Sequence, residues 1–484
     1  MEKVTKYLPV IVFLVALAYY VGLSAKEYTW VFVSGDSGDW LAASTWWMVP
    51  QPMGSPLYIL LGRFLNLFPG DLVLKMTMLL SCLPSAITVT LVYMIARKLT
   101  GRTALGLASS GVLLGAGVFL TQSTVLEQYA SAVMLLTLAY WFYINERRKL
   151  TALSLGLATA IHIVILPIAV LWLFVERREW RAWGKAGLVF IATGIAPYAM
   201  IPAIMATDAP PLLAGHLNVG SLVAYWGGTA NHVVGTASIF ELPKRLGLAG
   251  SVVIGSIGLG LVPIAYAFRK PVPKHILILV ATIGFALWFH VTSLDPVSWT
   301  FLNFAMPSLA ILAGIGLTRL RRQHVAAVAV GACALVLANS FFLNAHVLAQ
   351  QRQDATIYQS QLEQMPEGAA VVVYCGHYSL GLFYAMSEGR TDLVPIIFLT
   401  VETGDWPDYE EWLEEEYGIT GRDTRELAIC ALSQGRDVYV AGDERMYDAL
   451  NKSKWGEFTR CFNLDGDGSL REVDGFSWPW ALPR

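Results

Sequence analysis

"LTALSLGLATAIHIVILPIAVLWLFV", residues 150–175, can be read in two ways, and the choice fixes the topology of the whole chain. It is either one long apolar helix or two short ones that turn near His162. A helix needs about 20 apolar residues to cross a hydrocarbon core of roughly 30 Å. By that measure further spans are expected near 7–25, 72–96, 104–121, 128–145, 185–205, 248–268, 275–291, 300–318 and 324–344. Basic clusters punctuate them: Arg97/Lys98/Arg102, Arg147/Arg148/Lys149, Arg177/Arg178/Arg181/Lys185, Arg269/Lys270/Lys274 and Arg319/Arg321/Arg322. Cytoplasmic loops collect Lys and Arg. A single helix over 150–175 would place the clusters on its two flanks on opposite faces of the membrane. A hairpin places all five on one face, together with Lys3 and Lys6, and is the reading adopted.

The hairpin gives about eleven transmembrane helices, with the N-terminus cytoplasmic and the C-terminus outside. Its halves of about 12–16 residues reach roughly 18–24 Å at helical rise. The apex at His162 therefore stops below the outer surface, which is tolerable only where it is buried in protein or lines a cavity. Ser24-Ala25 would suit a signal-peptide cleavage site, but this topology works only if the first segment is counted as a span.

Composition agrees with a membrane protein. The chain has 484 residues, of which 55% are hydrophobic and only 14% charged, the latter about half the share of a soluble domain. Mean hydropathy is +0.52. A net charge of −2 leaves no basic footprint for a nucleic-acid partner. The five Cys show no metal-ligand spacing, and there is no P-loop, GxSxG or HExxH. "NLDGDGSLREVDG" (463–475) suggests an EF-hand, but Leu470 stands where that loop needs Gly; a Gly-rich hairpin fits better.

Residues 1–344 form the expected transmembrane domain, with a first outer loop over 26–71. Residues 345–484 alternate strand-like runs (AAVVVYC, LVPIIFL, DVYVAG) with helix-like ones (DYEEWLEEEYG, DTRELAICALSQG). That pattern predicts a small soluble extracytoplasmic α/β domain.

The topology also sorts the polar residues, since Asp36, Asp39, Glu127, His162, His232 and Asp295 all fall at outer loops or outer span ends. In the first loop, Asp36 and Asp39 stand three apart and share a face if the chain there is helical. "DWLAASTWWMV" (39–49) fits a short interfacial helix, which Pro50, Pro52 and Pro56 end; "PLYILLGRFLNLF" (56–68) is too short to cross and return. A carboxylate pair so placed suits a general base, a divalent metal or a solvated turn. Glu127 fits the start of the following span. Arg63 suits either a lipid phosphate or snorkelling, and an intramembrane His162 should face a cavity or a partner.

Taken in order, these motifs resemble the GT-C superfamily of polytopic glycosyltransferases, in its protein O-mannosyltransferase-like branch. That branch has a loop reading approximately DSGEhhAAAhxhGVPHPPGYPLYxLLGRLF (h, apolar), similar to "DSGDWLAASTWWMVPQPMGSPLYILLGRFLNLFP" at 36–69. "LTQSTVLEQYASAVMLL" (120–136) is similar to its W-S-x-x-h-x-x-E-V-Y segment, aligning Glu127 and Tyr129. "LSLGLATAIHIVILPIAVLWLF" resembles its GLAxTNHHT hairpin, aligning His162. "GSLVAYWGGTANHVVGTASIF" and "LDPVSWTFLNFAMPSLAILAGIGL" resemble later segments and place His232 and Asp295. There are departures: Asp39 replaces a Glu, Gln51 a His, Met53 a Pro and Ser55 a Tyr, and one His of the TNHHT pair is missing.

The resemblance implies an inverting transferase that moves a sugar, of mannosyl type, from a polyprenyl-phosphate donor in the membrane to a protein or cell-envelope glycan or lipid acceptor. Asp36 would be the base, with Asp39 positioning the acceptor or holding a divalent metal. Glu127, Tyr129, His162, His232 and Asp295 would line the substrate cavity, and Arg63 would neutralise the departing phosphate. Two other readings stay open: a transporter or flippase for lipid-linked sugars, and an inactive GT-C-like scaffold. The first would predict inverted repeats, and none is seen. The compact chain and short loops point to a prokaryotic cell membrane.

Overall fold

The computed structural model describes residues 2–25, 37–46, 55–200, 242–268, 273–292, 298–320 and 322–342, and in the C-terminal part 365–373, 390, 392–397, 409–422, 424–441, 462–464 and 470–472. The chain is a polytopic helical membrane protein. Its helices are α1 (Glu2–Leu23), α2 (Ser37–Trp46), α3 (Pro56–Asn66), α4 (Leu72–Thr100), α5 (Thr103–Leu114), α6 (Gly117–Thr124), α7 (Tyr129–Tyr143), α8 (Arg148–Ile161), α9 (Ile165–Val175), α10 (Trp180–Phe190), α11 (Leu242–Ile257), α12 (Leu261–Ala267), α13 (Lys274–Thr292), α14 (Met306–Leu317) and α15 (Arg322–Phe342). Among the described residues five helical stretches are long and apolar enough to cross a bilayer alone: Lys6–Leu23, Leu72–Thr100, Pro243–Ala267, Lys274–Thr292 and Trp299–Leu317.

The ends of α4 show how the sequence sets these limits. The Asp71 side chain accepts from the Leu74 N–H at 3.2 Å and caps its start, and Gly101 at φ +70° terminates it beyond Arg97 and Lys98. Inside it, Pro84 lacks the N–H that would bind the Leu80 carbonyl. The helix widens to a π-turn over Thr77–Cys82, and the Ser131 hydroxyl donates to the freed Leu80 carbonyl at 2.6 Å.

A straight span expected over 104–121 is instead two helices, α5 and α6, bent by 67°. At the break, Gly115-Ala116, a Cβ on Gly115 would lie 2.3 Å from the Val336 side chain, so glycine is what lets α15 cross there. The groups freed by the bend are satisfied from neighbouring helices. Asn339 Nδ2 donates to the Gly115 carbonyl at 2.6 Å, and the Val118 N–H donates to Ser256 Oγ at 3.2 Å.

The stretch 150–175 is a hairpin, α8 and α9, broken at His162. Its direction follows from α10. Ala152 packs with Trp183 and Ala186, Gly156 lies against Thr193 and Gly194, and Tyr198 Oη donates to the Thr159 carbonyl at 2.8 Å. Contacts that advance together along both segments mean that α8 and α10 run parallel, so α9 between them returns. Their starts share the end of the bundle where Lys98 bonds Asn145, Arg148 pairs with Glu179 at 2.5 Å, and Lys274 pairs with Glu176 and Glu179 at 2.7 and 3.0 Å. Arg319 joins them through the packing of Leu317 on Leu105. Each of the five basic clusters thus has a member at one end.

In the C-terminal part, β1 (Ala370–Val373) lies between β2 (Val394–Ile397) and β3 (Val438–Ala441) in a parallel sheet of order β2-β1-β3. Helices α16 (Tyr409–Tyr417) and α17 (Thr424–Ser433) accompany it, and α17 packs on all three strands. Strands β4 (Phe462–Leu464) and β5 (Leu470–Glu472) pair antiparallel, a pairing that fits a hairpin rather than an EF-hand.

Candidate active site

The site is built at the end of the bundle opposite the basic clusters. Six pieces of chain meet there: the C-terminal end of α1, helices α2 and α3, the turn 125–128, the hairpin apex at 162–164 and the 3-10 helix Ser298–Ala305. They are joined chiefly by hydroxyl-to-backbone hydrogen bonds. The Ala25 N–H donates to the Thr124 carbonyl at 2.8 Å. Ser37 Oγ donates to the Leu126 carbonyl at 2.9 Å and Ser81 Oγ to the Glu127 carbonyl at 3.3 Å. Ser55 Oγ donates to Gln128 Oε1 at 2.5 Å. The start of α2, the start of α3 and the π-turn of α4 are therefore all tied to the three residues 126–128. Backbone groups held away from water need such partners, and Ser supplies them at little cost in space.

Helix α2 is not the interfacial helix its sequence suggests. Trp40, Leu41, Ala42, Ala43 and Ser44 form an unbroken buried run, which leaves no face for headgroups; the helix lies inside the protein. Helix α3 buries Pro56, Tyr58, Ile59, Gly62 and Leu65 and exposes Phe64, with Leu67 and Phe68 exposed beyond its end. The two helices touch where Gly62 meets Ser44, and a Cβ on Gly62 would come 2.0 Å from Ser44 Oγ.

The structure places the expected site residues differently. Tyr129 and His162 are brought together. Glu127 is buried beneath α4, and Tyr129 and His162 have ring centroids 5.0 Å apart. Phe301 and Phe304 close on both, edge-on to His162 at 5.9 and 5.4 Å. His162 Nδ1 accepts from the Val164 N–H at 3.3 Å, which fixes the ring at the apex. Arg63 takes a different place: its Nη1 donates to the carbonyls of Ser44 and Thr45, the latter a short contact, and so caps the C-terminal end of α2. Asp39 lies in the first turn of α2, a position where the helix dipole favours a carboxylate. Asp36, His232 and Asp295 lie outside the described residues. Among the described residues no group of three or more His, Cys, Asp or Glu gathers as a metal site.

Sequence reasoning missed the residues that hold this end together. Ser37, Ser55 and Ser81 look like ordinary loop and helix serines, and no spacing marks them. Tyr58 and Trp40, fully buried and edge-on at 5.1 Å, form the wall between α2 and α3. Phe301 and Phe304 could have been suspected from their spacing of three beside Asp295, since that puts both on one helical face.

Residues 36–183 match the family described as "Protein O-mannosyl-transferase TMEM260 N-terminal domain". The match begins at Asp36 and takes in Asp39, Arg63, Glu127, Tyr129 and His162. Two solved structures share the fold. ArnT from Cupriavidus metallidurans bound to undecaprenyl phosphate is 14% identical with a TM-score of 0.56, covering 88% of this chain and 97% of that one. The same protein in its apo state is 13% identical with a TM-score of 0.57, covering 87% and 97%. No curated protein sequence matches the chain.

Proposed function

We propose that this chain, a GT-C-type, protein O-mannosyltransferase-like multi-pass membrane glycosyltransferase, transfers a mannosyl-type sugar from a polyprenyl-phosphate donor to a protein or cell-envelope glycan or lipid acceptor, with inversion. The carrying observation is that the family match starts at Asp36 and that the helix it opens, α2, is bonded to the loop bearing Glu127. The lipid ligand of the fold relative, undecaprenyl phosphate, supports a donor of the same chemical class.

In this reading Asp36 takes the proton of the acceptor hydroxyl as its oxygen bonds the anomeric carbon. The anomeric C–O bond to phosphate breaks from the opposite face and polyprenyl phosphate departs. Asp39 positions the acceptor or holds a divalent metal. Glu127, Tyr129 and His162 line the sugar cavity, where fixed carboxylate charge favours an oxocarbenium-like centre. His232 and Asp295 are assigned to substrate binding as well. Arg63, which also caps α2, neutralises the departing phosphate. Residues 1–344 form the eleven-span transmembrane domain and 345–484 the extracytoplasmic α/β domain. The basic end faces the cytoplasm of a prokaryotic cell.

The test is sugar transfer by the purified full chain from radiolabelled polyprenyl-phosphate mannose, comparing wild type with Asp36→Asn, with and without EDTA. Transfer by wild type and none by folded Asp36→Asn is expected, and the EDTA lanes decide the metal. Equal transfer by both proteins would remove Asp36 as the base.

A further inference from the structure

The basic end of the bundle carries a feature that the transfer chemistry does not use. The turn into α8 and the first half of α10 border an open cleft of about 610 Å³. Its rim holds five cations, Arg147, Arg148, Lys149, Arg181 and Lys185, against one acid, Glu146. Arg148 is engaged by Glu179 at 2.5 Å, which still leaves an excess of positive charge. Because α8 and α10 run parallel, both present their N-terminal, partially positive ends on this side. The floor is apolar: Leu150, Ala182 and Ala186 line it.

Below the cleft α10 continues an exposed apolar stripe through Leu188, Ile191 and Ile195. A cationic pocket above a lipid-facing stripe is suited to one class of ligand with an anionic head and an apolar tail. A zwitterionic head would leave the cations uncompensated, and a soluble anion would leave the stripe unused. We infer that the cleft between α8 and α10 binds an anionic phospholipid, its phosphate among Arg147, Lys149 and Lys185 and one acyl chain along Leu188 and Ile191. This site is separate from the transferase end and does not depend on which sugar is moved.

Native mass spectrometry of the detergent-solubilised full chain tests it, titrating phosphatidylglycerol, phosphatidylcholine of the same acyl chains, and glycerol 3-phosphate. Phosphatidylglycerol should bind at least tenfold tighter than phosphatidylcholine, and glycerol 3-phosphate should not displace it at equal concentration. Each charge lost near the lipid surface weakens binding about fivefold, so Arg147→Gln/Lys185→Gln should weaken it about 30-fold. A control with equal charge loss at the same end, Lys6→Gln/Arg102→Gln, should bind as wild type. Equal binding of the two lipids, displacement by glycerol 3-phosphate, or equal losses in the cleft and control variants would each overturn the proposal. The last would reduce the effect to the general field of the basic end.

Discussion

Gly62 is where the packing of α3 on α2 can be perturbed by a single atom pair. A Cβ at this position would sit 2.0 Å from Ser44 Oγ, 3.0 Å from Ser44 Cβ and 3.0 Å from Met76 Cε. The methionine end can swing away. Ser44 Oγ is held by the Trp40 carbonyl at 2.6 Å, and rotating it off forfeits about 1 kcal/mol. Even then Ser44 Cβ stays closer than an ordinary carbon contact of about 3.5–4.0 Å. Gly62→Ala therefore moves α2 away from α3 by between a few tenths of an ångström and about 1 Å. Overpacking of this kind costs about 1–3 kcal/mol. A 1 Å misplacement of reacting groups lowers rate by about 10²-fold, so transfer from polyprenyl-phosphate mannose should fall by about 10- to 100-fold while the protein still folds. The reciprocal swap Ser44→Gly/Gly62→Ala removes both close atoms and should restore most of the rate, at about 1 kcal/mol of helix stability. Thermal melts of all three proteins separate folding from rate. Wild-type transfer by Gly62→Ala would refute the idea that this contact sets the position of Asp36 and Asp39.

Gly156→Leu should open the α8–α10 contact, because its Cβ would lie 2.1 Å from Thr193 Oγ1 and 3.1 Å from the Gly194 backbone N; a loss of about 3 kcal/mol or more should show as a lowered melting temperature. Arg63→Met removes the cap of α2 and should cost about 1–2 kcal/mol. If Arg63 also serves the leaving phosphate, Arg63→Lys should keep stability better than rate in paired melts and kinetics. Lys274→Met leaves Glu176, 5% exposed, with the Tyr143 hydroxyl at 2.6 Å as its remaining described partner, a loss of about 1–3 kcal/mol given that the lysine is itself 39% exposed. Lys274→Met/Glu176→Gln should recover most of it in a double-mutant cycle. Glu179 is held below the usual carboxylate range by its hydrogen bond from Lys274. Its contribution is thus present above the ordinary carboxylate pKa and lost as pH falls through the lower folded value, so thermal stability should stay level from pH 7 to pH 5 as far as this group is concerned.

What could be read in advance was whatever depended on charge and period. The hairpin at 150–175 was legible because Arg147–Lys149 and Arg177–Lys185 had to share a face, and the parallel course of α8 and α10 has that arrangement. The three strands β1 to β3 were legible from short β-branched runs. The bend at Gly115 was not, because the groups that accommodate it, Val336 packed on Gly115 and Asn339 and Ser256 bonded to the freed backbone, lie more than a hundred residues away. The burial of α2 was misread for a related reason. Trp and Thr in a ten-residue helix look interfacial by composition, whereas α3 and the turn at 125–128 cover it from both sides. Arg63 looked like a phosphate ligand or a snorkelling side chain because sequence spacing cannot reveal that the end of α2 lies beside it.

The two ends of the bundle are held by different chemistry, and the difference bears on catalysis. At the basic end Arg148, Lys274, Glu176 and Glu179 form an ion-pair network. At the other end, among the described residues, the loops are joined by Ser37, Ser55, Ser81 and Ser131, neutral groups bonded to carbonyls or an amide, with Arg63 donating to two carbonyls at the end of α2. A catalytic carboxylate needs its charge available for the proton and for the developing positive centre, and a scaffold built from ion pairs would compete for it. Neutral bonds fix geometry without supplying a counter-charge. Replacing one of them with a charged strut should therefore harm rate more than stability. Ser81→Lys, which places an ammonium against the Glu127 segment, is the sharpest case, and Ser81→Ala, which loses only the bond to the Glu127 carbonyl, is its control. Comparable rates for the two folded proteins would show that the charge of this end is not part of the chemistry.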